Sequence, residues 1–465
     1  MNILLVICFC LIQGVLFGQP PTILKVIDQD IRVNGKTAKV FDIVREDGSP
    51  GLSKVEGEAF NVLLDNRTSV PTSIHWHGII LPNRYDGIPY VTQFPVQPGE
   101  QYPYNFKIVQ NGSYWMHSHY RFQEQKLLSA PLIIYRNKEE QAAHNDQVMF
   151  LEDFTFQDPK AIFESLRNSA KERQRTSMPK KMDLNDVNYD AFLTNRRTLD
   201  NPAIRIVKPG EMLRLRVING ASSSNFFIKL GQLIGSAVAV DGQDIYPLPG
   251  NAFEVAMSQR IDIMVKIPET GGAFPVLAQG EGTDMLTGII LATADAAIPK
   301  IEEKADQKAG GLSYEQEKKL KAAHPLKSRP IDRRLTVNLE GKMADYVWML
   351  NGQIWPYATP LMVKNGERVE IAFVNKTGMS HPMHLHGHFF QITEIDGEPL
   401  AGAMRDTILV MPGSTLKVQF DADNPGVWML HCHNMYHQHA GMMTTVNYEG
   451  YIGPSFTKEQ QLEAN

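Results

Sequence analysis

Cysteine is nearly absent from this sequence: three occur in 465 residues, and Cys8 and Cys10 fall in an apolar N-terminal stretch. Without that stretch Cys432 stands alone, which excludes a disulfide framework and leaves its thiol in need of another purpose. No apolar run is long enough for a confident membrane-spanning helix. The best candidate, Ile3 to Phe17, is broken by Gln13 and Gly14 and ends at Gly18, Gln19 and two prolines. It reads as a secretory signal over residues 1–18, although its first residues carry no Lys or Arg; an uncleaved anchor is the other reading. That stretch holds no Arg-Arg pair, so export in the unfolded state to the periplasm or the extracellular space is expected, with no stable membrane insertion. Charge of one sign is lacking as well. With 46 basic against 51 acidic residues and no basic stripe, nucleic acid is excluded as a partner.

What is present is a repeat. Gly57-Glu58 precedes Asn66, Gly210-Glu211 precedes Asn219, and Gly366-Glu367 precedes Asn375, with eight residues from Glu to Asn each time. The intervening runs alternate, as in Met212-Leu213-Arg214-Leu215-Arg216-Val217-Ile218, the pattern of half-buried strands. The copies lie 153 and 156 residues apart, a domain-sized period. These features predict an all-β chain of three Greek-key β-sandwich domains, at 19–140, 141–298 and 335–452. Residues 159–199 read as a helical or irregular insert in the second domain. Residues 299–334, rich in Lys, Glu and Ala, read as a linker with one solvated helix and no further role.

Ten of the 14 histidines fall in four clusters. His75-Trp76-His77-Gly78 and His117-Ser118-His119 belong to the first repeat. His381-Pro382-Met383-His384-Leu385-His386-Gly387 and His431-Cys432-His433 with His437 belong to the third. In a strand, residues i and i+2 face one side, so each His-x-His pair aims two imidazoles into one space. A lone histidine is usually a satisfied core or surface residue, whereas four such pairs need a metal between them. The segment Tyr114 to His119 parallels Trp428 to His433, with Ser118 at the position of Cys432. The middle repeat has Leu277-Ala278-Gln279 there and no histidine, and so reads as a spacer. The eight paired histidines are expected at an interface between the first and third domains. Cys432 with two imidazoles and Met442 as a weak axial thioether suits copper.

These four motifs resemble the multicopper oxidases, the family that includes laccases, cuprous oxidases and ferroxidases; the resemblance covers nearly the whole chain. It implies cupredoxin-like domains and four copper ions inserted outside the cytoplasm. By it, His381, Cys432 and His437 bind type 1 copper with Met442 axial, and His75 and His384 bind type 2. His77, His117 and His433 then bind one type 3 ion, and His119, His386 and His431 the other. It further implies four one-electron oxidations of a donor coupled to reduction of O2 to water, with Cys432 and His437 on the electron path. Asp86, in Asp86-Gly87, matches the family's acid beside the type 2 site; a hairpin turn is its bland reading.

The chain departs from the family at Asn434, Met435, Tyr436, Gln438 and His439, none of them the carboxylate that many members carry there. His439 reads as a proton shuttle or a surface residue, His388 as structural, and His144 and His324 as surface residues. The donor is expected to meet an exposed His437, as a phenol or as Cu(I). Cuprous oxidases place Met and Asp before the motif at His381; Met379 is present here, but Thr377 takes the acid's place. Met404, Met411, Met435 and Met443 read mainly as core, and Asp396 and Asp406 as donor-attracting or internal. A monomer is expected. Two other readings stay open: a two-site nitrite reductase, which lacks the complete set of pairs, and a non-enzymatic copper-sequestering or scaffold protein. Sequons occur at Asn66, Asn111 and Asn375.

Overall fold

The three Gly-Glu…Asn copies fold identically, and their local chemistry explains why the repeat survives at the level of single residues. Each glycine lies at positive φ (+85° at Gly57, +74° at Gly210, +89° at Gly366), closing a turn that other residues enter only under strain. The following Glu accepts the backbone N–H three residues back, from Val55, Lys208 and Lys364. Each strand then ends on its Asn, over Ala59–Asn66, Met212–Asn219 and Arg368–Asn375. The Asn amide donates to two loop carbonyls: Val70 and Val96, Ser224 and Val255, or Met379 and Val410. Its oxygen accepts the N–H two residues on. Asn66 and Asn375, 0 % and 2 % exposed, are therefore committed to corners and are no acceptors for glycans.

A computed structural model describes residues 20–176, 184–342 and 344–465. The expected signal segment 1–18, with Cys8 and Cys10, lies outside the described residues, as do Met182 and Asp183. Each repeat builds two sheets facing one another. In the first, strands Thr22–Val33, Lys36–Arg45, Ala59–Asn66 and Gln101–Lys107 form one sheet, and Leu52–Val55, Ile74–His77, Gly112–Ser118 and Ser129–Tyr135 the other. Each sheet contains one parallel pair, Thr22–Val33 on Ala59–Asn66 and Leu52–Val55 on Ser129–Tyr135. Corresponding parallel pairs recur in the second sandwich, whose strands run from Asp146 to Ala292. They recur again in the third, from Arg333 to Tyr448.

The cores show how the sandwiches assemble. One continuous apolar cluster runs through the first and third, from Leu24, Phe60 and Trp76 to Phe373, Trp428 and Tyr436, while the second keeps its own. The first and third are therefore packed as neighbours although the second separates them in sequence. No helix among the described residues is long and apolar enough to cross a membrane.

Both inserts are more integrated than their composition implies. Helix Pro159–Thr176 buries Ile162 against the shared core, and Phe163 packs on Phe122 and Tyr346. The segment 299–334 holds no solvated helix but a single 3-10 turn, Glu317–Lys319. It is held to the second sandwich by bridges at Lys304, Ala309 and Ala322, and it buries Leu312 and Leu320. Its apolar residues are too irregularly spaced for one helical face, so they seat one at a time.

Replacing Asn219 by Ala leaves two buried carbonyls and one N–H unpaired, a cost on the order of 3 kcal/mol. The expected result is a lower denaturation midpoint for the metal-free protein; Asn219→Asp, which keeps the accepting oxygen but turns a second acceptor on the two carbonyls, should be lowered as well.

Candidate metal centre

The four histidine motifs lie on strands that share a register. His75 sits directly opposite His117 across Ile74–His77 and Gly112–Ser118. His384 sits opposite His431 across His381–Leu385 and Val427–Cys432, with Met383 opposite Cys432. Alternation then sends Cys432 to one face of its strand and His431 and His433 to the other. The histidines of the first and third sandwiches meet in one buried space. His119, at 8 % exposed, is the least covered of the ten.

Within that space the donor atoms gather into sets of three: His75, His77 and His384; His77, His117 and His433; His119, His386 and His431. A separate set joins His381, Cys432 and His437. There the two Nδ1 atoms lie 3.1 Å apart, and the thiol sulfur is 3.6 Å from His381 and 3.7 Å from His437. Met442 is buried beside them, its backbone bonded to Cys432 and His437.

The outer ring atoms are held by oxygens. His75 Nδ1 donates to the Asp86 carbonyl at 3.0 Å and lies 3.2 Å from its carboxylate. Asp86 Oδ2 also accepts His386 Nδ1 at 2.9 Å. Glu124 accepts His117 Nδ1 at 2.8 Å and faces His433 Nδ1 at 3.9 Å. Asp406 accepts His77 Nε2 at 3.1 Å on its side chain and His384 Nδ1 at 2.8 Å on its carbonyl. Three buried acids thus each join an imidazole of the first sandwich to one of the third.

This leaves the inner nitrogens as bare acceptors. His75 Nε2, His77 Nδ1, His119 Nε2 and His384 Nε2 have no protein partner. His386 Nε2 faces His431 Nε2 at 3.0 Å, and His117 Nε2 faces His433 Nε2 at 3.3 Å. Burial, followed by the neighbouring imidazoles, holds His77, His119, His384 and His386 well below the ordinary histidine pKa. Burial brings His431 to about 4. The rings are therefore neutral at pH 7, and neutral lone pairs turned on one another require cations between them. Burial also pushes the Cys432 thiol above its usual range, so a thiolate there needs a bound cation. The donor set of soft sulfur and imidazole nitrogen fits copper.

Several expectations change. His437 is fully buried rather than exposed: its Nε2 is capped by Asp186 at 2.8 Å, and Asp186 also accepts the Tyr346 hydroxyl. Thr377, standing where an acid was sought, caps His381 Nε2 at 2.8 Å. His439 is half-buried: it packs on Phe122 and donates to the Arg121 carbonyl. His388 is structural, between the His386 carbonyl and the Tyr448 hydroxyl, and His144 and His324 are exposed. Met404, Met435 and Met443 are core. Asp396 is exposed, whereas Asp406 is internal, but its partner is Arg260 rather than its neighbour Arg405. Asp86 ends the 3-10 turn Asn83–Tyr85 and is 1 % exposed, too buried for an ordinary hairpin residue. Sequence reasoning missed Glu124 altogether; a charged residue between Gln123 and Gln125 gives no sign of burial.

Comparison with known proteins agrees with this geometry. Models of the multicopper oxidase family match residues 26–139, 145–296 and 328–450. The chain is 33% identical over 413 residues to multicopper oxidase MmcO of Mycobacterium tuberculosis, covering 86% of this chain and 81% of that protein. It is 26% identical to copper resistance protein A of Escherichia coli, over 86% of this chain and 88% of that one. Among solved structures, Fet3p, a multicopper oxidase that functions in iron import, superposes with a TM-score of 0.78 at 20% identity, covering 95% and 93%. A multi-copper oxidase from Pseudomonas thermotolerans gives 0.71 at 25% identity, covering 92% and 98%. Family match along the chain and donor chemistry in the structure lead to one conclusion: this protein belongs to the multicopper oxidases, copper-dependent oxidoreductases that take dioxygen as electron acceptor.

Proposed function

We propose that His381, Cys432 and His437, with Met442 axial, hold type 1 copper, and that the eight paired histidines hold the other three ions. His75 and His384 form the type 2 site. His77, His117 and His433 hold one type 3 ion, and His119, His386 and His431 hold the other. One observation carries this reading: Cys432 faces His381 and His437, while its chain neighbours face the second cluster. Three consecutive residues therefore bridge the two metal sites covalently. Bound copper supplies reversible one-electron chemistry, and four ions together match the four electrons that convert dioxygen to water.

The remaining work belongs to the protein. The carboxylates of Asp86, Glu124 and Asp406 fix the tautomers of His386, His117 and His77, and so keep a lone pair of each pointed inward. Burial keeps bulk water from the cluster. Asp86, between His75 and His386, is the acid placed to hold and release a proton at the edge of the cluster.

The donor enters at Asp186 and His437. Among the described residues Asp186 is the one carboxylate capping a type 1 imidazole, and 8 % of its side chain remains exposed. It attracts a reduced metal ion such as Cu(I), and it can accept the proton that a phenol releases on oxidation. The relatives named for copper resistance support the first donor and those named laccase the second. The chain acts outside the cytoplasm, a reading that the N-terminal apolar run supports.

Cys432→Ser is expected to abolish the blue absorbance and oxygen uptake together. Blue colour or turnover in that variant would overturn the assignment. Asp86→Asn should keep the blue absorbance and the copper count but slow oxygen uptake on the order of 10²-fold, the size of a lost general acid. Asp186→Ala, assayed with Cu(I), Fe(II) and a phenol, should raise KM most for the natural donor; equal KM values throughout would place electron entry elsewhere.

A further inference from the structure

Read from its sequence, the middle sandwich is a spacer. In the structure one of its side chains reaches the histidine cluster. Arg260, on strand Arg260–Lys266, is fully buried at the junction of all three sandwiches. Its guanidinium grips Asp406 with both terminal nitrogens, at 2.8 Å to Oδ1 and 2.5 Å to Oδ2. The same group donates to the Ser258 carbonyl at 3.1 Å and, through Nε, to the Ser113 carbonyl of the first sandwich at 3.1 Å. Every nitrogen is used, so the fork has one orientation. Asp406 Oδ1 in turn accepts His77 Nε2 and the Thr407 hydroxyl.

His77 is the ring that most needs such a hold. His75, His117, His384, His386 and His431 give up Nδ1 to hydrogen bonds and turn Nε2 inward. His77 is reversed: Nε2 goes to Asp406, and Nδ1 is the unpartnered inner atom. A second feature points to the same pair. Gly78, at φ +80°, lies against it, and a Cβ there would overlap both Asp406 Oδ2 and the Arg260 guanidinium. In the matching motif of the third sandwich, a Cβ on Gly387 would strike Trp428 instead, so the two glycines serve different neighbours.

The grip is itself braced. Asp241 accepts the Arg260 backbone N–H at 2.9 Å and the Arg405 guanidinium at 3.2 Å, and Arg405 is held by Glu317 at 2.7 Å. The segment 299–334, by its composition a mere connector, supplies that last carboxylate.

We infer that Arg260 is a positioning residue of the oxygen-reducing cluster: it fixes the Asp406 carboxylate so that His77 presents Nδ1 to its type 3 ion. The inference rests on the assignment of His77 as a ligand. A lysine cannot substitute, because a point charge does not pin both carboxylate oxygens. Loss of a residue in this orienting layer is expected to cost 10- to 100-fold in metal affinity, on the order measured for such partners elsewhere.

The test compares Arg260→Met, Arg260→Lys and Gly78→Ala with His77→Gln in the full chain reconstituted with copper. Copper per chain, blue absorbance and the electron paramagnetic resonance of the type 2 ion are recorded with oxygen uptake. Arg260→Met and Arg260→Lys should both keep the blue absorbance while losing copper from the other sites or shifting the type 2 signal. Gly78→Ala, which displaces the pair with Arg260 intact, should do the same. Full copper and an unchanged signal in the Arg260 variants would overturn the inference, as would rescue by Lys. Loss of blue absorbance in proportion to the other copper would also overturn it, by showing Arg260 to be a general packing residue. If Arg260→Met does not fold, the Lys and Gly78 variants carry the same reading. A His77→Gln protein with full copper and an unchanged signal would instead remove the ligand assignment itself.

Discussion

Eight buried imidazoles, with ring nitrogens turned toward one another, are the constraint around which the chain is built. Neither sandwich can hold them alone, since each supplies four. Imidazole nitrogens oppose one another at 3.0 Å between His386 and His431 within the third sandwich, and at 3.3 Å between His117 and His433 across its interface with the first. Two things offset that repulsion. Apolar burial runs continuously through both sandwiches, and two buried acids, Asp86 and Asp406, each accept imidazoles from both sides of the interface, while Glu124 accepts His117 and faces His433. The acids fix the direction of the lone pairs, and so define where cations must sit before any arrives.

The same logic explains the division of labour at Cys432. A buried thiol resists ionisation, so this site too is completed only by a cation. Its two imidazoles are set by different partners, Thr377 behind His381 and Asp186 behind His437. A hydroxyl behind one ring and a carboxylate behind the other makes the pair unequal, and the carboxylate marks the side from which an electron donor is recognised. Helix Pro159–Thr176 packs over this side through Phe163, against Tyr346, whose hydroxyl meets Asp186.

Much of the fold and the ligand set could be read from the sequence because both are written locally. A His-x-His pair declares its common face through strand alternation, and a Gly-Glu…Asn corner closes within a few residues of itself. The orienting groups are different. His77 and Asp406 are 329 residues apart, His437 and Asp186 are 251 apart, and Arg260 and Asp406 are 146 apart. Nothing near Glu124 or Arg260 signals that its charge is buried, so their roles appear only when distant segments meet. The same limit applies to the exposure of His437, since Asp186, which caps its ring, comes from the insert in the second domain, while Trp348 and Tyr346 pack on it from the third.

The missing acid after His433 shows how such a long-range contact changes the meaning of a local departure. Asn434 is occupied: its side chain accepts the N–H groups of Tyr436 and His437 as the N-cap of the short helix Met435–His439. That helix fixes His437 five residues beyond Cys432, and Asn is among the strongest caps. Gln438 turns its amide toward His119 at 3.5 Å, so it too has a neutral task at the cluster. A carboxyl group beside the proposed type 3 pair is supplied instead by Glu124, in the loop that follows His119, where it accepts His117 and faces His433. Burial raises its pKa well above the usual carboxylate range, so it is suited to hold a proton there. An acid at this junction therefore comes from the first sandwich, set opposite His433 of the third while it holds His117 of its own.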